Sequence, residues 1–143
     1  MSYFRIWMHV VLITEGQEEL LDDVTANSIT SNIKAKAMEK GILVDSAGAS
    51  KEHVHFLISL GVNQNVGAVI EDLKEIVSRM VNMPKLTATP LFWDDGYFAF
   101  SASHSLIDKV REYIKGQVVL HQRKTFQEEF SEFCEKHGFI IKR

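Results

Sequence analysis

Apolar residues along this chain follow two different rhythms, and the switches between them mark out the elements. Residues 3–14, YFRIWMHVVLIT, are rich in aromatic and β-branched side chains and predict a strand buried over much of both faces. From about 25 to 40 the spacing becomes helical, with Ile29, Ile33, Ala37 and Met38 on one side and Gly41 placed to cap the far end. ILVDSAGAS and HVHFLISL then read as two extended segments around a small-residue turn, an antiparallel pair. The helix over 66–82 is the plainest. Val66, Val69, Ile70, Leu73, Ile76, Val77, Met80 and Val81 trace its apolar stripe, Asn65 stands at its start and Pro84 lies beyond its end. LFWDDGYFAFSAS predicts extended structure broken by an Asp-Asp-Gly turn. A third helix is expected from near Ser105, which has capping-box spacing with Asp108, to about residue 122. TFQEEFSEFCEKHG predicts a fourth, opened by Thr125 and Glu128, closed by Gly138 and packed through Phe126, Phe130 and Phe133.

The order is β-α-β-β-α-β followed by two helices. It predicts an α+β fold, a ferredoxin-like or RRM-like antiparallel sheet with helices on one face plus C-terminal helices. The other sheet face then needs a cover, which the third helix, a partner subunit or a ligand can supply. KEHVHFLISL gives that face its interest. Side chains alternate along a strand, so His53 and His55 project together while Val54, Phe56 and Ile58 project into the core. Two imidazoles on one face are within reach of a single metal ion or a phosphate. The same pattern also arises from plain cross-strand hydrogen bonding.

A chain of 143 residues with 45% hydrophobic content fits one compact domain with a sizeable core. The apolar N-terminal stretch is interrupted by Arg5 and His9 and has no small-residue cleavage pattern. No run approaches the length of a membrane span, so a soluble, cytoplasmic protein is expected. Cys134 is the single cysteine; it excludes an intrachain disulfide or a cysteine-based zinc cluster and predicts helix packing. The net charge of −3 advertises no nucleic-acid partner. The charge is uneven, however. Five acidic residues lie between Glu15 and Asp23, whereas Lys109, Arg111, Lys115, Arg123 and Lys124 stand against Glu112 alone, which permits an anionic ligand near the second half.

On the third helix, Tyr113 and Gln117 are four residues apart and share a face. A phenol can serve as a covalent nucleophile and a carboxamide oxygen can ligate a metal, although most helical tyrosines are packing residues. With these residues in hand, EHVHFLISL, GAVIEDLKEIVSRMV, LFWDDGYFAFSASHSLIDKVREYIKGQ and HQRKTFQEEF, together with SYFRIWMHVVLIT, fall in an order that resembles the single-tyrosine HUH transposases of small bacterial insertion sequences, relatives of the REP-associated tyrosine transposases. The likeness covers almost the whole chain, and its specificity lies in the ordered combination of His-x-His, Trp-x-x-Gly-Tyr and Tyr-Ile-x-x-Gln.

The resemblance implies a single catalytic domain over residues 1–143 that nicks and rejoins single-stranded, hairpin-bearing DNA through a 5′-phosphotyrosine. It implies Tyr113 as nucleophile and His53, His55 and Gln117 as ligands of a divalent metal, Mg2+ or Mn2+. It further implies a homodimer whose tyrosine helix can serve the partner's histidine pair, which would cover the open sheet face. A rival reading is a domesticated, non-catalytic regulator that grips hairpins without cutting.

Some positions depart from the family pattern. TEGQEE follows the first strand where many relatives are basic, and SKEHVH lacks a Pro-Asp lead-in, which puts DNA contacts near residues 15–23 in question. Strand alternation should turn Glu52 away from the metal. Lys74, Arg79, Arg123 and Lys124 are candidate phosphate contacts, and Trp93, Tyr97 and Phe98 are candidate stacking platforms or core. His9, His104, His121 and His137 have no spacing partner and receive no role.

Overall fold

The computed structural model describes residues 1–121 and 123–139. The elements run β1 (Trp7–Thr14), α1 (Asp23–Met38), β2 (Leu43–Ala49), β3 (His53–Ser59), α2 (Val66–Asn82), β4 (Trp93–Ala102), α3 (Ile107–Lys115), α4 (Gln117–Leu120) and α5 (Phe126–His137). The four strands form an antiparallel sheet in the order β2-β3-β1-β4, the α+β ferredoxin-like arrangement expected from the element order. Side-chain caps fix three helix starts: Asp22 accepts from Thr25 N, Asn65 from Ala68 N and Thr125 from Glu128 N. Among the described residues no helix is long and apolar enough to cross a membrane.

Alternation along the strands divides the core in two. Val10, Leu12, Val54, Phe56 and Ile58 join the stripes of α1 and α2 on one face. On the other face Val11, Ile13 and Phe98 meet Phe126, Phe133 and Cys134 of α5, while Trp7 and Leu57 meet Ile107 and Ile114 of α3. Helices of the same chain therefore cover the face that carries the histidine pair. Cys134 is a packing residue there, as its helical position suggests.

Four local expectations are corrected. The strand expected from residue 3 starts at Trp7. Asp94, Asp95 and Gly96 do not turn the chain back but lie within β4. Leu12 pairs with Tyr97 and Thr14 with Trp93, so two steps along β1 match four along β4, and Asp94 accepts from Gly96 N inside this bulge. Ser105 and Asp108 form no capping box: a short 3-10 turn, His104–Leu106, precedes α3, and Ser105 Oγ bonds Ser103 Oγ instead. The helical run is also interrupted at Gly116, which separates α3 from α4.

The seating of α3 decides where Tyr113 goes. The small-residue run of β2 lets the helix approach closely: a Cβ on Gly48 would lie 1.8 Å from the Ile114 carbonyl oxygen. Beside it, Arg111 donates from Nε and Nη2 to the two carboxylate oxygens of Asp45, both at 2.8 Å. This bidentate pair ties α3 to β2 and holds the Asp45 carboxyl down to about 2 from 3.8, chiefly through the Arg111 hydrogen bonds. Asp45→Asn should destabilise the fold by ~1 kcal/mol at neutral pH. Because the folded-state pKa is the depressed one, the contribution is present above the ordinary carboxyl range and fades as pH falls toward about 2. Denaturant unfolding of both proteins between neutral and acid pH should show their stability difference shrinking on that acid side.

Candidate active site

β3 sits between β2 and β1, with His55 opposite Gly48 on one side and Val11 on the other, and His53 opposite Ile13. Both imidazoles are fully buried. Each is oriented through Nδ1. His53 Nδ1 lies 2.6 Å from Glu52 Oε1, and His55 Nδ1 lies 2.8 Å from His9 Nε2. The expectation for Glu52 is corrected here: the residue precedes β3, so strand alternation does not govern its side chain, which swings onto the histidine. Both Nε2 atoms are left facing the same interior point.

Tyr113 and Gln117 arrive at that point from α3 and the start of α4. Gln117 donates from Nε2 to the Tyr113 carbonyl and to Glu129 Oε2, each at 3.3 Å, which turns its Oε1 to within 3.0 Å of His53 Nε2. The Tyr113 ring lies 5.7 Å from the His55 ring, edge to face. The structure thus brings His53, His55, Tyr113 and Gln117 together within one chain.

Two residues without a sequence assignment complete the cluster. Glu129, from α5, is buried and accepts a hydrogen bond from the Tyr113 hydroxyl on Oε2. Its Oε1 lies 3.1 Å from His53 Nε2, 3.5 Å from His55 Nε2 and 3.3 Å from His121 Nε2. His121 is held by Nδ1 on the Lys124 carbonyl at 2.8 Å, and its Nε2 is 3.1 Å from Gln117 Oε1. Glu129 and the His55 partner His9 each had a legible signal. Glu129 falls in the Phe126, Phe130, Phe133 stripe, and His9 shares the face of Val11 and Ile13 by alternation.

The electrostatics are those of a closed, dry centre. Burial lowers His55 to about 4 and, with His55 beside it, keeps His9 well below its ordinary value, so both stay neutral at pH 7. Burial opposes charge on Glu129 as well, but the imidazoles of His53 and His55 outweigh it and hold the carboxylate ionised. His53 is pushed up by Glu129 and Glu52 against the opposing effect of burial. The Tyr113 phenol is driven well above its ordinary value by burial and by the adjacent Glu129 charge.

The donor set fits a divalent metal. One ligand atom each from His53, His55 and Glu129 lies within 4.8 Å of the others. Glu129 Oε1 and His55 Nε2 are buried without an aligned hydrogen-bond partner despite their proximity, so their lone pairs are available to a cation. The Nδ1 partners Glu52 and His9 are the outer contacts that orient metal-binding imidazoles.

The remaining candidates are dispersed. Lys74 and Arg79 lie on α2, across the sheet from the histidines; Lys74 is bound to the Asp94 carbonyl and Arg79 pairs with Glu75. Arg123 is exposed and Lys124 pairs with Glu132, both in the connection leading into α5. Phe98 is core, and Trp93 is partly buried with its indole N–H on the Lys74 carbonyl. Tyr97 remains exposed, with Lys74 Nζ 5.7 Å over its ring.

Comparison with known proteins gives these features a family. A solved structure from Deinococcus radiodurans R1, assigned as a transposase, superposes with a TM-score of 0.63 at 18% identity, covering 79% of this chain and 91% of that one. A REP-associated tyrosine transposase solved bound to a REP hairpin gives a TM-score of 0.54 at 11% identity, over 98% of this chain and 76% of that one. At such identities the likeness establishes the shared fold. No curated protein sequence matches significantly. The family model for IS200-like transposases matches residues 2–117, from before β1 through Gln117, and the chain belongs to that family of DNA transposases.

Proposed function

We propose that the chain nicks and rejoins single-stranded, hairpin-bearing DNA, with Tyr113 as the attacking group and His53, His55 and Gln117 as holders of Mg2+ or Mn2+. The observation that carries this reading is the convergence of a phenol and a carboxamide from α3 and α4 on the paired imidazoles of β3, with Gln117 Oε1 3.0 Å from His53 Nε2. When bound, the ion would withdraw charge from a phosphodiester and orient its phosphorus. The protein supplies the rest. Tyr113 Oη forms the bond to phosphorus, the bond from phosphorus to the 3′-oxygen breaks, and the leaving oxygen takes a proton from water to become a 3′-hydroxyl. Tyr113, whose hydroxyl rests on Glu129 Oε2 in the closed protein, must lose its own proton as it attacks, and with α5 drawn back that proton passes to water. One ester has replaced another, so a different 3′-hydroxyl can reverse the step and join new strands without a nucleotide cofactor.

His53 and His55 have no exposed surface, so a DNA phosphate reaches them only when α5 draws back from the sheet. Arg123 and Lys124, at the entrance to α5, are the phosphate contacts nearest this route. Lys74 and Arg79 are better suited to DNA passing the opposite layer. Because one chain contributes the whole cluster, a homodimer would serve to hold two DNA ends rather than to complete the centre. Such an enzyme would work in the cytoplasm, at the nucleoid.

Incubation with labelled hairpin oligonucleotides and Mn2+ should give a denaturant-resistant protein–DNA adduct, and Tyr113→Phe, lacking the attacking oxygen, should give none. Hairpin binding by the native protein without any adduct would instead establish the non-catalytic regulator.

A further inference from the structure

Glu129 lies beyond the segment matched by the family model, on a helix that the sheet fold does not require, yet it occupies the middle of the cluster. A buried carboxylate needs strong compensation. Here one oxygen has the Tyr113 hydroxyl and the Gln117 amide, while the other points among His53, His55 and His121 at 3.1–3.5 Å with no aligned hydrogen bond. His55 Nε2 is unpartnered beside it. Two imidazole nitrogens and one carboxylate oxygen face a common point and form a ligand triad once His53 Nε2 gives up the proton it directs at Gln117 and Glu129; ligands about 2.1 Å from one ion stand roughly 3 Å or slightly more from each other. The outer contacts agree, since His53 is held by Glu52 and His55 by His9 through the nitrogens that do not face that point.

We infer that, in the DNA-free protein, Glu129 completes a resident divalent-metal site with His53 and His55, its second oxygen holding the Tyr113 hydroxyl at the same centre. Two imidazoles and an amide are neutral and bind a divalent ion weakly until a phosphate adds charge. A carboxylate in the third position brings that charge before DNA arrives. A phosphate oxygen then takes the place of Glu129 when α5 draws back, so the carboxylate keeps the ion in the protein between reactions. This assignment rests on the metal-assisted reading above and adds a ligand from outside the motif residues.

Titration calorimetry of the full chain with Mn2+, without DNA, provides the test, using the native protein, Glu129→Gln and His55→Ala, with circular dichroism to confirm folding. Native protein should bind one ion per chain, Glu129→Gln at least ~10-fold more weakly, and His55→Ala not at all. Equal affinity for native protein and Glu129→Gln, with loss only in His55→Ala, would overturn the role of Glu129 while leaving the proposed reaction intact. No Mn2+ binding by the native protein without DNA would likewise overturn the resident site, with the adduct assay still deciding the reaction. Binding that survives both substitutions would overturn the inference and the metal site of the proposed reaction together.

Discussion

Gly48→Ala will unseat the helix that carries Tyr113. The added Cβ would stand 1.8 Å from the Ile114 carbonyl oxygen and 2.8 Å from its carbon, and both are backbone atoms that no rotamer change can move aside. Relief requires α3 to lift from β2, which strains the Asp45–Arg111 pair and loosens Ile114 from Trp7 and Leu57. Overpacking of this kind costs roughly 3 kcal/mol or more. Denaturant unfolding should register the loss as a lower midpoint. Adduct formation should fall as well, by ~100-fold for a displacement of about 1 Å in the nucleophile. An alanine accepted with unchanged stability and activity would mean that α3 does not rest on β2 as described.

His55→Ala should abolish adduct formation at any practical Mn2+ concentration. His55 is fully buried and contacts His9, Glu129 and Tyr113, so its removal takes away a proposed metal ligand and the group that faces the phenol. Loss of about 4 kcal/mol of metal-derived transition-state stabilisation corresponds to ~10³ in rate. The effect should appear in single-turnover cleavage, with hairpin affinity nearly unchanged, because the proposed phosphate contacts Arg123 and Lys124 lie outside the buried pair. A His55→Ala protein that still forms the adduct at the native rate would remove the metal from the mechanism.

Much of this was open to reading from the residues. Alternation in HVHFLIS correctly put His53 and His55 opposite Val54, Phe56 and Ile58, and the Val66 to Val81 stripe matched α2 with its Asn65 cap. Four-residue spacing put Tyr113 and Gln117 together even across the break at Gly116, because Gln117 still donates to the Tyr113 carbonyl. What local pattern cannot carry is contact over long separation. Helical spacing puts Glu129 in the Phe126, Phe130, Phe133 stripe, but only the docking of Phe126 and Phe133 on the sheet brings its carboxylate to the histidines. His9 found its partner His55 46 residues away, whereas His121 bonds Gln117 and Lys124, its near neighbours along the chain. The Asp-Asp-Gly segment has turn composition, but pairing with β1 absorbs it as a bulge. The sequence left the third helix, a partner subunit or a ligand as the cover for the histidine face; α3, joined by α5, takes that place within the chain.

The central claim is that one chain's tyrosine serves its own histidines. Mixing Tyr113→Phe protein with His55→Ala protein, in the presence of labelled hairpin DNA and Mn2+, tests it most directly. Each variant lacks one half of the centre and keeps the other, and native protein in parallel fixes the full signal. The account predicts that the mixture stays as inactive as its components. Recovery of the covalent adduct on mixing would mean that the helix bearing Tyr113 crosses to another copy, contradicting the arrangement described.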